Sequence, residues 1–167
     1  MRRGFSLIEV IVYIAILAVL STFAVNTLLL IHSSLAEIRV TRALNASAAV
    51  AVERMIRVIR DGRSVNIGAS TFGSSPGVLA LTGSESPALT HRFSVSGKAL
   101  LLESGSNPAV RLTPSGVLVE NLVFRLVTAS TTSQAIKVEL TLAASTGKAT
   151  TTQNFYGTAV LRNSYDQ

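Results

Sequence analysis

From Phe5 to Ile31 the chain is apolar on every side, interrupted only by Ser6, Glu9, Ser21, Thr22, Asn26 and Thr27. A run of this length and character spans a bilayer as a helix. Further on the pattern turns amphipathic. Ala48, Val52, Met55, Ile56 and Ile59 recur at helical spacing, which predicts one face turned toward a partner layer. No glycine or proline occurs between Phe5 and Asp61, whereas ten of the eleven glycines and all four prolines (Pro76, Pro87, Pro108, Pro114) lie at or beyond Gly62. Those two residue types disfavour helix interiors most strongly. Residues 5–61 therefore read as one continuous helix, roughly 85 Å long at about 1.5 Å per residue, with Gly62 as its stop.

Beyond Gly62 the period falls from 3.6 to 2, and strands are predicted at Val78–Thr82, Arg92–Ser96, Ala99–Leu102, Val117–Val127, Ile136–Leu142 and Phe155–Leu161. Ile136, Val138, Leu140 and Leu142 alternate with Lys137, Glu139 and Thr141, the pattern of a strand with one wet face. Ser96-Gly97 offers a tight hairpin, and Ser145-Thr146-Gly147 a looser turn. The segments Gly68 to Gly77 and Thr128 to Ser133 read as polar loops. One helix followed by several strands predicts an α+β fold, with an antiparallel sheet laid on the apolar stripe of Ala48 to Ile59. No internal repeat is visible.

At 167 residues the chain has room for one domain with a modest core, and its 48% hydrophobic content is inflated by the N-terminal span. The absence of cysteine excludes disulfides, thiolate metal sites and cysteine nucleophiles. The formal charge is +6, a mild positive balance. Within the second half of the helix, Glu53 precedes Arg57 by four residues and Arg57 precedes Asp61 by four, giving two exposed ion pairs worth tenths of a kcal/mol each.

The most informative residue is Glu9. An acid near one end of a membrane span costs up to about 2.5 to 3.5 kcal/mol on insertion scales, less where it reaches the interface, and marks a functional position that needs a partner. It follows a cationic leader and a glycine in the run Arg3-Gly4-Phe5-Ser6-Leu7-Ile8-Glu9. This opening resembles the prepilin signal of the type IV pilin and type II secretion pseudopilin family. The resemblance covers the leader and the N-terminal helix, and implies a type IV pilin-like fold. It implies that a membrane-embedded prepilin peptidase cuts between Gly4 and Phe5, methylates the Phe5 amine and leaves the apolar helix in place. Removal of Arg2 and Arg3 would bring the charge from +6 to +4. The resemblance further implies that Glu9 neutralises the Phe5 amine of a neighbouring subunit in a filament core. Desolvation makes such a pair selective, since removing one member strands the other at a cost of roughly 3 to 5 kcal/mol.

An ordinary secretory signal is the competing reading, with Arg2 and Arg3 as its charged start, Leu7 to Leu20 as its apolar centre and Thr22-Phe23-Ala24 as its cleavage site. An acid inside the apolar centre is unfavourable for such a signal, and apolar character persists through Leu28, Leu29, Leu30 and Ile31. A plain single-span anchor also obeys the positive-inside asymmetry of Arg2 and Arg3.

The later chain resembles a narrower branch of the same family, the J-type minor pseudopilins and W-type minor pilins. The likeness rests on Glu53-Arg54-Met55-Ile56-Arg57-Val58-Ile59-Arg60-Asp61, Leu112-Thr113-Pro114-Ser115-Gly116-Val117, Asn121-Leu122-Val123-Phe124 and Val160-Leu161-Arg162-Asn163. It implies a low-abundance subunit near a filament tip that helps to start assembly. Major pilins of the common type usually carry a proline or glycine midway along the membrane half of the helix, where Ala18 and Asn26 stand here. Tip-capping subunits that lack the early glutamate form another branch, from which Glu9 separates this chain.

Enzymatic constellations find little footing. His32 and His91 are the two histidines and have no acid partner at a motif spacing, while Glu85, Glu103, Glu120 and Glu139 fall on separate turns and strands. No calcium loop and no lysine-bearing phosphate cradle is written in the chain. Arg54, Arg57, Arg60 and Arg63 repeat every three residues and form a candidate contact for a nucleic-acid backbone, although an ion-paired, solvated helix face explains the same row. Adhesion through the two polar loops is a third class without a specific signal.

The expectation is a non-enzymatic minor pilin or pseudopilin without a cofactor or metal, serving a type IV pilus or a type II secretion system; a DNA-binding or adhesive minor pilin is the alternative. Its divisions are a leader at 1–4, a membrane and filament-core half at 5–31, an amphipathic half at 32–61 and a β domain at 62–167. Partners implied by the resemblance are the prepilin peptidase, other major and minor pilins, and an inner-membrane assembly platform driven by a cytoplasmic ATPase. Before assembly the chain would cross the inner membrane once with its β domain outside the cytoplasm.

Overall fold

A computed structural model describes residues 6–84, 88–128, 134–146 and 149–161. Helix α1 runs unbroken over Leu7–Asp61. It starts on the carbonyl of Ser6, which accepts from the amides of Glu9 (3.0 Å) and Val10 (3.3 Å). At the other end Gly62 steps directly into extended chain, with φ −68° and ψ 139°, and its amide donates to the Ile59 carbonyl.

Gly62–Val65 is already the first strand, β1, followed by a single 3-10 turn at Ile67–Ala69. The remaining strands are β2 (Leu79–Gly83), β3 (Thr90–Ser96), β4 (Ala99–Ser104), β5 (Val110–Arg111), β6 (Val117–Thr128), β7 (Gln134–Thr146) and β8 (Ala149–Val160). All pair antiparallel with their sequence neighbours, but in two sheets: β1 to β5 form one meander and β6 to β8 another. The single sheet expected from periodicity is thus split. The break falls between β5 and β6, where Pro108 and Pro114 flank a strand of two residues and deny it the amides to extend the ladder. β1 and β5 have too few alternating apolar residues to be seen in the sequence pattern.

The helix packs chiefly on β7 and β8. Its buried stripe is longer than the sequence pattern predicts: Val40 and Leu44 precede Ala48, Met55 and Ile59, with Ala51 and Val58 beside them, while Val52 and Ile56 are half-buried at the margin. Ile136, Val138, Leu140 and Leu142 of β7 supply the facing layer. Burying each large side chain of this kind contributes about 1.5 to 3 kcal/mol. The first sheet joins the same core through Leu79, Leu81, Phe93, Leu100 and Leu102.

Backbone and ionic contacts fasten the two sheets together. The β3–β4 hairpin turns at Gly97-Lys98, both with positive φ (56° and 59°), one residue later than Ser96-Gly97. Two consecutive left-handed residues twist as the flanking strands do. At its tip the Lys98 carbonyl accepts from the Val119 amide at 2.9 Å, and the Lys98 ammonium lies 3.0 Å from Glu120. Glu120 sits where the β6–β7 register slips between Val119 and Asn121. That extra residue lets Val119 and Leu122 both point inward although they are an odd number of positions apart. Farther along β6, Gly73 and Gly77 donate to the carbonyls of Phe124 and Leu122 at 2.9 and 2.7 Å. The Gly68 to Gly77 segment is therefore an edge cover rather than a free loop. Of the other polar segments, residues 129–133 and the turn at Gly147 lie outside the described residues.

Candidate assembly site on the N-terminal helix

Leu7–Ile31 is a continuous apolar stretch of mean hydropathy 2.5, none of it buried within the chain. An apolar surface left entirely open demands lipid or other helices around it. Of the polar side chains in it, Thr22 and Thr27 satisfy themselves, their hydroxyls donating to the carbonyls of Ala18 and Phe23 at 2.9 Å each. This internal bonding suits hydrocarbon, which offers no partner.

Glu9 lies on the first turns of α1 and is half-exposed. The Tyr13 hydroxyl, one turn further on, donates to its Oε1 at 3.1 Å. Reading by residue class missed this partner because tyrosine counts as apolar; the spacing of four between a carboxylate and a phenol was the available signal. Gly4 and Phe5 lie outside the described residues.

The arginine row separates in three dimensions. Arg54, Arg57 and Arg60 are exposed on α1, but Arg63 belongs to β1, past the end of the helix at Asp61. Arg57 reaches back to Glu53 at 2.7 Å, in an exposed pair worth little. Its expected second pair with Asp61 does not form among the described residues. Glu placed before Arg is the favoured order on a helix, whereas an acid at the C-terminal end opposes the macrodipole. Arg57 and Arg60 line a groove of about 670 Å³ between α1 and the end of β8, but Glu53 and Asp61 line it too. The groove is of mixed charge and offers a phosphate backbone no continuous cationic track.

Among the described residues, Glu103, Glu120 and Glu139 of the strand region are each engaged by cations of the sheets. Glu103 faces its cross-strand partner Arg92 at 3.9 Å, Glu120 meets Lys98, and Glu139 takes Arg125 at 3.0 Å and Lys137 at 2.9 Å. The Arg125 hydrogen bond, then that of Lys137, holds Glu139 below the ordinary carboxylate value. The Lys137 ammonium also stands 5.7 Å from the centre of the Tyr156 ring. Nδ1 of His91 is bonded to Ser104 Oγ at 3.0 Å, and Glu85 lies outside the described residues. The side chain of His32 is likewise outside them.

The segment Leu112 to Val117 has a structural task. The Leu112 amide donates to the Leu100 carbonyl at 2.8 Å, buried Thr113 accepts from the Leu100 amide through Oγ1 at 3.2 Å, and the Val117 amide closes a turn on the Pro114 carbonyl at 3.1 Å. The motif thereby locks the crossing from one sheet to the other.

No curated protein and no solved structure matches the chain. Residues 1–25 match the family model of the prokaryotic N-terminal methylation motif. With a type IV pilin-like α+β fold behind it, this chain carries the N-terminal signature of a prepilin, the precursor of a pilin-type filament subunit.

Proposed function

We propose that this chain is a minor pilin or pseudopilin, a structural subunit that takes part in assembling a type IV pilus or a type II secretion pseudopilus. The observation that carries the reading is a span without any burial in its own chain that nevertheless holds a carboxylate, at Glu9, within a methylation motif that covers residues 1–25. Residues 1–4 are the leader, removed between Gly4 and Phe5, and the new Phe5 amine is methylated. Residues 5–31 lie in the inner membrane and later in the filament core; 32–61 carry the β domain of 62–167, which faces away from the cytoplasm. Glu9 answers the Phe5 amine of a neighbouring subunit and so sets the axial register. The prepilin peptidase, sibling pilins and an ATPase-driven assembly platform in the inner membrane are the partners. The chain performs no chemistry of its own. Assignment to the minor subunits rests on the sequence motifs of the J-type and W-type branch and on the absence of a helix breaker near Ala18 and Asn26.

The test is the intact mass and N-terminal sequence of the membrane-extracted chain from its native host. A methylated Phe5 start is expected; a start at Val25 or an unprocessed Met1 overturns the proposal. A Glu9→Val chain is processed normally but is lost from filaments, and its undiminished assembly would remove the role given to Glu9.

A further inference from the structure

Tyr13 is the residue that the function above leaves unexplained. Its Cα lies six positions past Leu7, about 9 Å along the helix axis, so with Leu7–Ile31 as the membrane span proposed above its ring lies in hydrocarbon. There a phenol without a partner is costly. Side chains on a helix lean toward its N-terminus, and this lean carries the Tyr13 hydroxyl back over one turn to Glu9 Oε1, 3.1 Å away. The two polar groups satisfy each other where neither lipid nor backbone does. A carboxylate has two oxygens and about four acceptor positions. Tyr13 occupies one of these on Oε1, and among the described residues no hydrogen bond is made to Oε2.

We propose that Tyr13 is a positioning residue for subunit assembly: it holds the Glu9 carboxylate by one oxygen against its own helix and leaves the other to receive the Phe5 amine of a neighbouring subunit. The inference rests on the reading of Glu9 given above. Both phenol and ammonium are donors, so the amine joins the carboxylate without displacing Tyr13. Before the neighbour arrives, the phenol keeps the acid from standing bare in the membrane. On arrival, a side chain already fixed in its rotamer has less freedom to lose.

The test compares full-length chains in the native host by their amount in sheared filaments relative to the membrane pool. Tyr13→Phe keeps the ring and removes the donor; incorporation is expected to fall roughly tenfold, the scale of a hydrogen bond to a charged group. The amine of 4-aminophenylalanine at position 13 restores a donor and is expected to return incorporation to within about twofold of wild type. In a Glu9→Asp chain the shorter acid no longer meets the phenol, so Tyr13→Phe adds no further loss, the coupling that a double-mutant cycle isolates. Wild-type incorporation of Tyr13→Phe, failure of the amine to rescue, or an equal proportional loss in the Glu9→Asp chain overturns the proposal. N-terminal mass is read in parallel. A methylated Phe5 start in every variant assigns the loss to Tyr13, whereas an unprocessed wild-type chain overturns the parent reading and this one with it.

Discussion

Gly157 of β8 lies directly against Ile56 of the helix: a Cβ built on the glycine would stand 3.0 Å from Ile56 Cδ1 and 3.0 Å from Val52 Cγ1. The half-buried margin of the helical stripe is seated there because the strand has no side chain at that point. Gly157→Val should destabilise the fold by about 1 to 3 kcal/mol through overpacking. Chemical unfolding of the full chain in detergent measures this, and an added Ile56→Ala should make the combined loss smaller than the sum of the two.

The hairpin that bridges the sheets depends on backbone shape. Gly97 has φ +56°, and a Cβ built on it would meet nothing within 4 Å, so a substitution there is felt only through the backbone. Gly97→Ala should cost about 1 to 2 kcal/mol, while Gly97→Asn, whose side chain tolerates the left-handed region, should cost less. Thermal midpoints of the two variants compared with wild type decide the matter.

Met55 is fully buried between α1 and the sheets, whereas Arg54 beside it faces solvent. Met55→Ala should destabilise by about 2 to 5 kcal/mol and Arg54→Ala by no more than about 0.5 kcal/mol. A comparable loss from both in denaturant titrations would contradict the orientation of the helix.

Acid should weaken the second sheet through Glu139. Arg125 and Lys137 depress its pKa in the folded chain below the ordinary 4.5, so the folded state binds fewer protons than the unfolded one. The stabilisation is complete above about pH 4.5 and is lost as pH falls through the lower folded value. Glu139→Gln should flatten that part of the acid limb, read as the unfolding midpoint against pH between about 5 and 3; an unchanged slope would exclude the linkage.

Much of this molecule is legible in its residues. The absence of breakers from Phe5 to Asp61 marks the whole helix, and strict alternation at Ile136 to Leu142 marks β7, because both patterns are local consequences of burial. Val40 and Leu44, the N-terminal end of the buried stripe, are not marked by the local pattern because their burial depends on how far the sheet reaches along the helix. Division into two sheets was equally hidden: it follows from long-range bonds such as those of Gly77 and Lys98 to β6, which no local period encodes. At the candidate site, Glu9 was conspicuous as an acid among hydrocarbons. Tyr13 was not, since its body is apolar and only its tip is polar.

An unbroken α1 also has a mechanical consequence. Lacking any hinge between Glu9 and the sheets, it behaves as a driveshaft: rotating the β domain about the helix axis swings the carboxylate through the same angle. The azimuth of Glu9 relative to the outer surface is therefore written in the count of intervening residues. One residue inserted near Glu37 would turn it by about 100° and advance it by about 1.5 Å, so that in the proposed filament an outer domain docked correctly among its neighbours would aim its acid away from them.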